Sequence, residues 1–328
     1  MDTINCCMIG YGGIAEFHTE ALRQIEGVSL HTVVGRREEP TSDFKSRMGY
    51  QKSTIRYNDA LEDPDIDAVV VASPSELHYE QTRLALEAGK HVLVEIPLAM
   101  SHKGARDLVG LANKSGKKVL LAHTRRFDPI GQFLKDFIAS GKAGQVHQHH
   151  CHELWLRHEN VGWTGYQRSW VDDVLFHHGC HVLDYSLWTI GADVRRIRGE
   201  LSPLHPQTGT SIDVSMLVRY TNEAIATLSL SYNSPTAVNT NCYVCDAGTL
   251  AATGNKVTLN GDVLFENEGG LAESILAQDT EFADAIRGDR PAACNATHGL
   301  AALTLLQQVY EQMVTLENEE KYKRRWGL

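Results

Sequence analysis

Hydrophobic and polar positions along this chain fall into two textures. As far as residue 124, short unbroken apolar runs alternate with segments at helical spacing, and beyond it the pattern shifts to a period of two interrupted by turn residues. The first apolar run, residues 4–9, meets Gly10-Tyr11-Gly12-Gly13, and apolar residues then recur at helical spacing over 14–25, so strand, tight turn and helix are compressed into one segment. Residues 28–34 predict a second strand, and 67–73, 91–98 and 118–123 predict further buried strands. Helices are expected over 76–88, ended by Gly89, and over 101–115, capped by Ser101 and stopped by Gly116. Strands and helices alternating at this spacing make an α/β fold with a doubly wound parallel sheet of Rossmann type, whose ligands lie beyond the carboxyl ends of the strands. That rim gathers Gly10 to Ile14, Arg36, Ser73, Glu95 and His123.

The second texture predicts a helix over 127–140, a glycine break at Gly141-Lys142-Ala143-Gly144, a strand over 145–155 and a helix over 174–190. Alternating segments near 195–200, 211–220, 224–232, 241–245 and 256–259 are separated by the turn signals Thr221-Asn222-Glu223, Asp246-Ala247-Gly248 and Asn260-Gly261-Asp262. Successive hairpins imply a C-terminal α/β domain with a mostly antiparallel open sheet. Its helices would cover one face and leave the other to pair with a second copy, giving a homo-oligomer. Amphipathic helices are expected over 274–287 and 297–318. The expected division is 1–124 for the first domain and 125–328 for the second.

A chain of 328 residues, 42% of them hydrophobic, is long enough for two cores. The formal charge of −10 excludes a nucleic-acid surface, because the one basic run is Lys321-Tyr322-Lys323-Arg324-Arg325. No apolar run reaches the ~18 residues needed to span a bilayer, and no signal peptide precedes the first strand, so a cytoplasmic protein without membrane contact is expected. Seven cysteines without CxxC spacing read as reduced thiols.

Gly10-x-Gly12-x-x-Ala15 matches the dinucleotide fingerprint, in which one glycine permits the turn, the next lets backbone approach a pyrophosphate, and Ala15 lets helix lie close to strand. The helix N-terminus offers free N–H groups to the phosphates. Where NAD enzymes carry an acid for the ribose hydroxyls, this chain reads Gly35-Arg36-Arg37, which favours the extra phosphate of NADP, with NAD possible; the bland alternative is two surface charges. His177, His178 and His181 on one helical stretch offer a general base, with structural or metal-binding histidines as alternatives. His147, His149, His150 and His152 are split between the two faces of a strand and suit a sheet face or subunit contact better than a metal, so no metal site is expected. Arg125, Arg126 and Arg168 match a carboxylated small-molecule substrate, or pair with acids. Trp155, Trp163 and Trp170 suit packing or a lid.

These residues, together with Ala72-Ser73-Pro74 and His78, Glu95-Ile96-Pro97, Arg125-Arg126-Phe127-Asp128-Pro129 and His181-Val182-Leu183-Asp184, resemble the glucose-fructose oxidoreductase, inositol dehydrogenase and MocA family over essentially the full length. The resemblance implies a nicotinamide site built from Gly10, Tyr11, Gly12, Gly13, Ile14, Gly35, Arg36, Arg37, Ser73, Pro74, Leu77, His78, Glu95, Ile96, Pro97 and His123. It also implies catalysis by His177, His181 or His178, with substrate held by Arg125, Arg126, Arg168 and Trp170 and the active site between the domains. Two departures stand out. Ile96 replaces the family's lysine, and His177 replaces its aspartate, which argues against a simple polyol. A closer likeness, in residues 94–99, 123–127, 168–170, 177–178 and 228–231, implies oxidation of the hemiacetal of 4-carboxy-2-hydroxymuconate-6-semialdehyde to 2-pyrone-4,6-dicarboxylate in aromatic-acid breakdown. A sugar or cyclitol dehydrogenase and a non-catalytic nicotinamide-binding sensor or scaffold are the alternatives.

Overall fold

The computed structural model describes residues 3–161, 170 and 173–313. Arg168, Trp163 and the basic run near the end of the chain lie outside the described residues. The chain divides into two compact units: the first runs to Thr124 and takes in Leu271–Leu300, and the second is built from Arg125–Asn160, the stretch up to Gly270, and the chain from Ala301. Residues 271–300 therefore group with the N-terminal unit and not with the segment that precedes them.

The first unit contains strands β1 (Ile4–Ile9), β2 (Val28–Val34), β3 (Lys52–Thr54), β4 (Ala68–Val71), β5 (His91–Val94) and β6 (Val119–Leu121), and helices α1 (Gly13–Gln24), α2 (Glu38–Met48), α3 (Tyr57–Glu62), α4 (His78–Glu87) and α5 (His102–Ser115). The strands pair parallel in the order β3-β2-β1-β4-β5-β6. Strand order reverses between β1 and β4, which opens the crevice in which such sheets bind ligands. The unbroken apolar runs are explained by burial on both faces: every residue of β4 and β5 is buried. The short β3, with α2 and α3, carries little apolar patterning and escaped the sequence reading. Ser101 caps α5 as expected, its hydroxyl accepting from Gly104 N at 3.1 Å.

The second unit contains α6 (Pro129–Ala139), β7 (Val146–Leu156), α7 (Cys180–Ile190), β8 (Val194–Leu201), β9 (Asp213–Tyr220), β10 (Ile225–Ser231), β11 (Asn233–Cys245), β12 (Gly248–Thr253), β13 (Lys256–Leu259) and β14 (Asp262–Glu266). After them α8 (Leu271–Arg287) belongs to the first unit, where it packs on α1, and α9 (Ala296–Met313) runs on into the second. The eight strands follow the order β14-β13-β12-β11-β7-β10-β9-β8, antiparallel except for the β7–β10 pair. Burial alternates along them, with Ala226, Leu228 and Leu230 of β10 inward and Ile225, Thr227, Ser229 and Ser231 outward. The outer face is mixed, with small and polar residues beside partly exposed Ile225, Leu154, Leu156 and Leu217. No helix of the described residues is long and apolar enough to cross a membrane.

Candidate active site

In the first unit the rim begins at the glycine turn. Gly10 has φ +115°, and a Cβ there would lie 2.5 Å from the Ala72 carbonyl oxygen, so the end of β1 approaches the end of β4 as only glycine allows. Gly12, at the N-cap of α1, has no side-chain cap, and a Cβ at this position would meet no protein atom. Its lack of a side chain keeps open space in front of a helix N-terminus, which fits a phosphate group of a dinucleotide. Arg36 and Arg37 are exposed at the end of β2, and Gly10 N donates to Val34 O on that strand at 2.9 Å, so the guanidinium-bearing loop adjoins the turn.

His78 is buried, with Nδ1 and Nε2 at 2.9 and 2.8 Å from the carbonyl oxygens of Pro97 and Ser73. It therefore ties together the loops after β4 and β5. Pro74 and Leu77 are exposed on the same loop, Ser73 Oγ donates to Gln81, and Ile96 and His123 are buried. Glu95 follows β5 with its side chain 16% exposed.

Sequence reasoning passed over the partner of Glu95. His18, wholly buried on α1, donates from Nε2 to Glu95 Oε1 at 3.0 Å and from Nδ1 to Asp279 Oδ2 of α8 at 2.8 Å. Burial alone would lower its pKa, yet Asp279 first and Glu95 second hold it up to about 10. Asp279 also accepts from Gln278, whose amide oxygen accepts from Thr124 at 2.9 Å. The available signal was a histidine in the second turn of the fingerprint helix; its partner lies 261 residues away.

In the second unit, Asp173 starts a helical segment by accepting from Leu175 N and Phe176 N at 3.0 and 3.1 Å. Leu175–Gly179 forms a π-helical turn before α7, so the plain α-helix expected over this stretch is interrupted where its histidines lie. Such turns recur at functional sites. His177, His178 and His181 are partly exposed while Val174 to Phe176 and Val182 to Ser186 are buried, so one side of the segment presents the three rings. His178 Nδ1 bonds the Tyr232 hydroxyl, and its ring meets Trp155 and His177 edge-on at 4.7 and 4.3 Å. Burial first, then His177, Arg157 and other cationic neighbours, hold His178 well below the usual imidazole pKa. It is a neutral ring at pH 7, able to accept a proton. Arg157 lies over both Trp170 and Tyr232 at 5.4 Å from each centroid. Tyr232 and Arg157 were not singled out from sequence, because a tyrosine and an arginine at strand ends look like ordinary periphery.

The arginine expectations divide. Arg126 is buried, and its Nε and a terminal nitrogen donate to Asp184 Oδ2 and Oδ1 at 2.8 and 2.6 Å, a bidentate fork with an acid. Arg125 pairs with buried Glu153 and keeps a 28% exposed side chain. The β7 histidines serve separate partners: His147 bonds Asp246, His150 bonds Thr227 and Gln148, and His149 bonds Ser186 and Asn241 while stacking on Tyr243 at 4.2 Å. Among the described residues, His31, Asp63 and Asp65 bring ligand-type atoms within 4.8 Å of one another, but Lys52 Nζ already sits 2.8 Å from Asp63 Oδ2.

Comparison with known proteins gives two family matches: "Oxidoreductase family, NAD-binding Rossmann fold" over residues 4–123, and "Bacterial oxidoreductases, C-terminal" over 129–263. A 4-carboxy-2-hydroxymuconate-6-semialdehyde dehydrogenase from Sphingobium sp. is 30% identical across 93% of this chain and 98% of its own length. A scyllo-inositol 2-dehydrogenase (NADP(+)) from Bacillus subtilis is 26% identical across 58% of this chain and 53% of its own. Among solved structures, levoglucosan dehydrogenase in complex with NADH and levoglucosan superposes with a TM-score of 0.85 at 18% identity, covering 94% of this chain and 96% of that one.

Proposed function

The chain belongs to the glucose-fructose oxidoreductase, inositol dehydrogenase and MocA family of nicotinamide-dependent dehydrogenases, and on that premise we propose that it oxidises a carboxylated cyclic hemiacetal to a lactone with NADP. The substrate that fits best is the hemiacetal of 4-carboxy-2-hydroxymuconate-6-semialdehyde, and the product 2-pyrone-4,6-dicarboxylate. The observation that carries this reading is the likeness to the Sphingobium enzyme, which runs through both units and nearly the whole of both chains. The exposed Arg36 and Arg37 at the end of β2 support NADP, since a guanidinium pairs with an added phosphate; Glu38 and Glu39, in the first turn of α2, are its competitors for those forks.

When bound, the nicotinamide supplies the hydride acceptor. The chain's own task is to hold the cofactor on the glycine turn, to take the hydroxyl proton and to answer the substrate's carboxylates. A histidine of the 177–181 segment is the proposed base. Neutral His178 can receive the proton on Nε2 while Nδ1–H donates to the Tyr232 oxygen, a relay that leaves neither polar atom unpaired. Arg125 and Trp170 remain proposed substrate contacts, as does Arg168, and Arg157 joins them through its place over Trp170.

A second reading, a sugar or cyclitol dehydrogenase, is favoured by the inositol and levoglucosan relatives and opposed by Ile96 and His177, which remove the lysine and aspartate expected of a polyol site. The deciding assay offers the purified chain, with NADP and with NAD, the carboxylated hemiacetal beside inositols and levoglucosan. Formation of the pyrone dicarboxylate, detected by mass, is the expected result. Turnover confined to the polyols would replace the first reading with the second.

A further inference from the structure

The pair His18–Asp279 is buried beneath the rim without any part in the chemistry above. Both ring nitrogens of His18 face carboxylate oxygens, so both donate and the ring is an imidazolium between two carboxylates. One positive and two negative groups leave a net charge of −1, and this sum is unchanged wherever along the His18–Asp279 hydrogen bond the proton sits. The remaining shell is neutral: Gln278 and Thr124 supply an amide and a hydroxyl, and the nearby Cys6 thiol is kept protonated by burial, which raises it to about 12. Tyr50, bonded to Thr19 one residue beyond His18, is likewise pushed upward by burial.

The exposed end of this charge is Glu95. The glycine turn after β1 takes the pyrophosphate and the end of β2 takes the adenosine ribose, so the nicotinamide half of a dinucleotide extends the other way, over β4 and β5. Glu95 follows β5, with its backbone N–H donating to Val71 O at the end of β4. The oxidised nicotinamide ring carries a positive charge and the reduced ring none. A fixed negative charge in a site of low dielectric therefore distinguishes the two forms.

We propose that Glu95, fixed by His18 and Asp279 acting as positioning residues, is an electrostatic selector that makes this chain bind the oxidised dinucleotide more tightly than its reduced form. The inference rests on the nicotinamide reading of the glycine turn. It deepens that reading by giving the cofactor site a preferred redox state, which in a dehydrogenase favours loading for oxidation and release of the reduced product.

The test is equilibrium binding of NADP+ and NADPH, and of NAD+ and NADH, by titration calorimetry, with the wild type compared with Glu95→Gln and Asp279→Asn. Glu95→Gln removes the net charge and keeps the shape, so the ratio of the oxidised to the reduced dissociation constant should rise on the order of tenfold. Because both forms are measured on the same variant, loss of folded protein cancels from the ratio. In Asp279→Asn, His18 loses its main counter-ion and titrates nearer neutrality. Preference for the oxidised form should then grow with pH between about 6 and 8, while the wild type stays flat. Equal weakening of both forms in Glu95→Gln would overturn the selector and leave the cofactor site standing. Failure of the wild type to bind any of the four dinucleotides would overturn the cofactor reading itself, and the selector with it.

Discussion

Arg36, Arg37, Arg125 and Arg126 show how far a residue type alone can be read. All four are forks that match an oxyanion: Arg126 pairs with Asp184, Arg125 pairs with Glu153 while staying partly exposed, and Arg36 and Arg37 are exposed at a strand end beside the phosphate turn. Replacing Arg36 and Arg37 by alanine should weaken NADP binding at least tenfold more than NAD binding, as read by titration calorimetry, because only NADP carries the phosphate they would meet; equal losses would remove the NADP assignment. Asp184→Asn leaves Arg126 as a buried cation with half a partner, and should cost about 3–5 kcal/mol in denaturant unfolding. A cost below about 1 kcal/mol would show that the pair contributes little. The chemistry of each arginine was legible in the sequence. Its partner was not, since Glu153 and Asp184 stand 28 and 58 positions away and no local pattern marks them.

At the level of elements, the first sheet was legible because its strands are buried on both faces and announce themselves as apolar runs. Elements with little to bury, such as β3, β12 and β14, left weaker traces and were missed. The helix over 174–190 was legible in extent, whereas its π turn was not, because the extra residue in a turn changes backbone bonding and leaves hydrophobic spacing almost untouched. That turn carries the catalytic prediction. Asparagine in place of the responsible histidine should lower kcat by 10²–10⁴-fold with NADP affinity nearly unchanged, and single replacements of His177, His178 and His181 will identify it. The pH profile of kcat sharpens the assignment. A base works when unprotonated, so the rate rises with pH through its ionisation, and the depressed pKa of His178 moves that rise to well below pH 6.5. A limb between about 6 and 7.5 would point away from His178. If each replacement costs less than about tenfold, no histidine is the base.

For the whole molecule, buried histidines set opposing pH dependences. His149 and His91 are lowered to about 4, chiefly by burial, so between pH 4 and 6.5 the unfolded chain binds protons that the folded chain refuses, and stability rises with pH. His18 is held up to about 10, so from pH 6.5 upward the folded chain keeps a proton that the unfolded chain has released, and stability falls. Thermal unfolding should show a maximum near pH 6.5, with His149→Gln flattening the acid limb; a melting temperature constant from pH 5 to 9 would contradict both assignments. The outer face of the second sheet, with Leu156 57% and Leu217 47% exposed, is expected to pair copies of the chain, and light scattering at micromolar concentration should report at least a dimer. The texture of the sequence changes at Thr124, but nothing in it marks the return of α8 to the first unit, since an amphipathic helix does not say which sheet it will cover. That return has a consequence for synthesis on the ribosome. Residues up to Thr124 emerge early, yet the carboxylate that meets His18 and the helix that packs on α1 are translated more than a hundred residues later. The nascent N-terminal segment must wait, incompletely buried, until the second unit has been made, so a gene truncated after codon 124 should yield a product that chaperones retain or proteases remove.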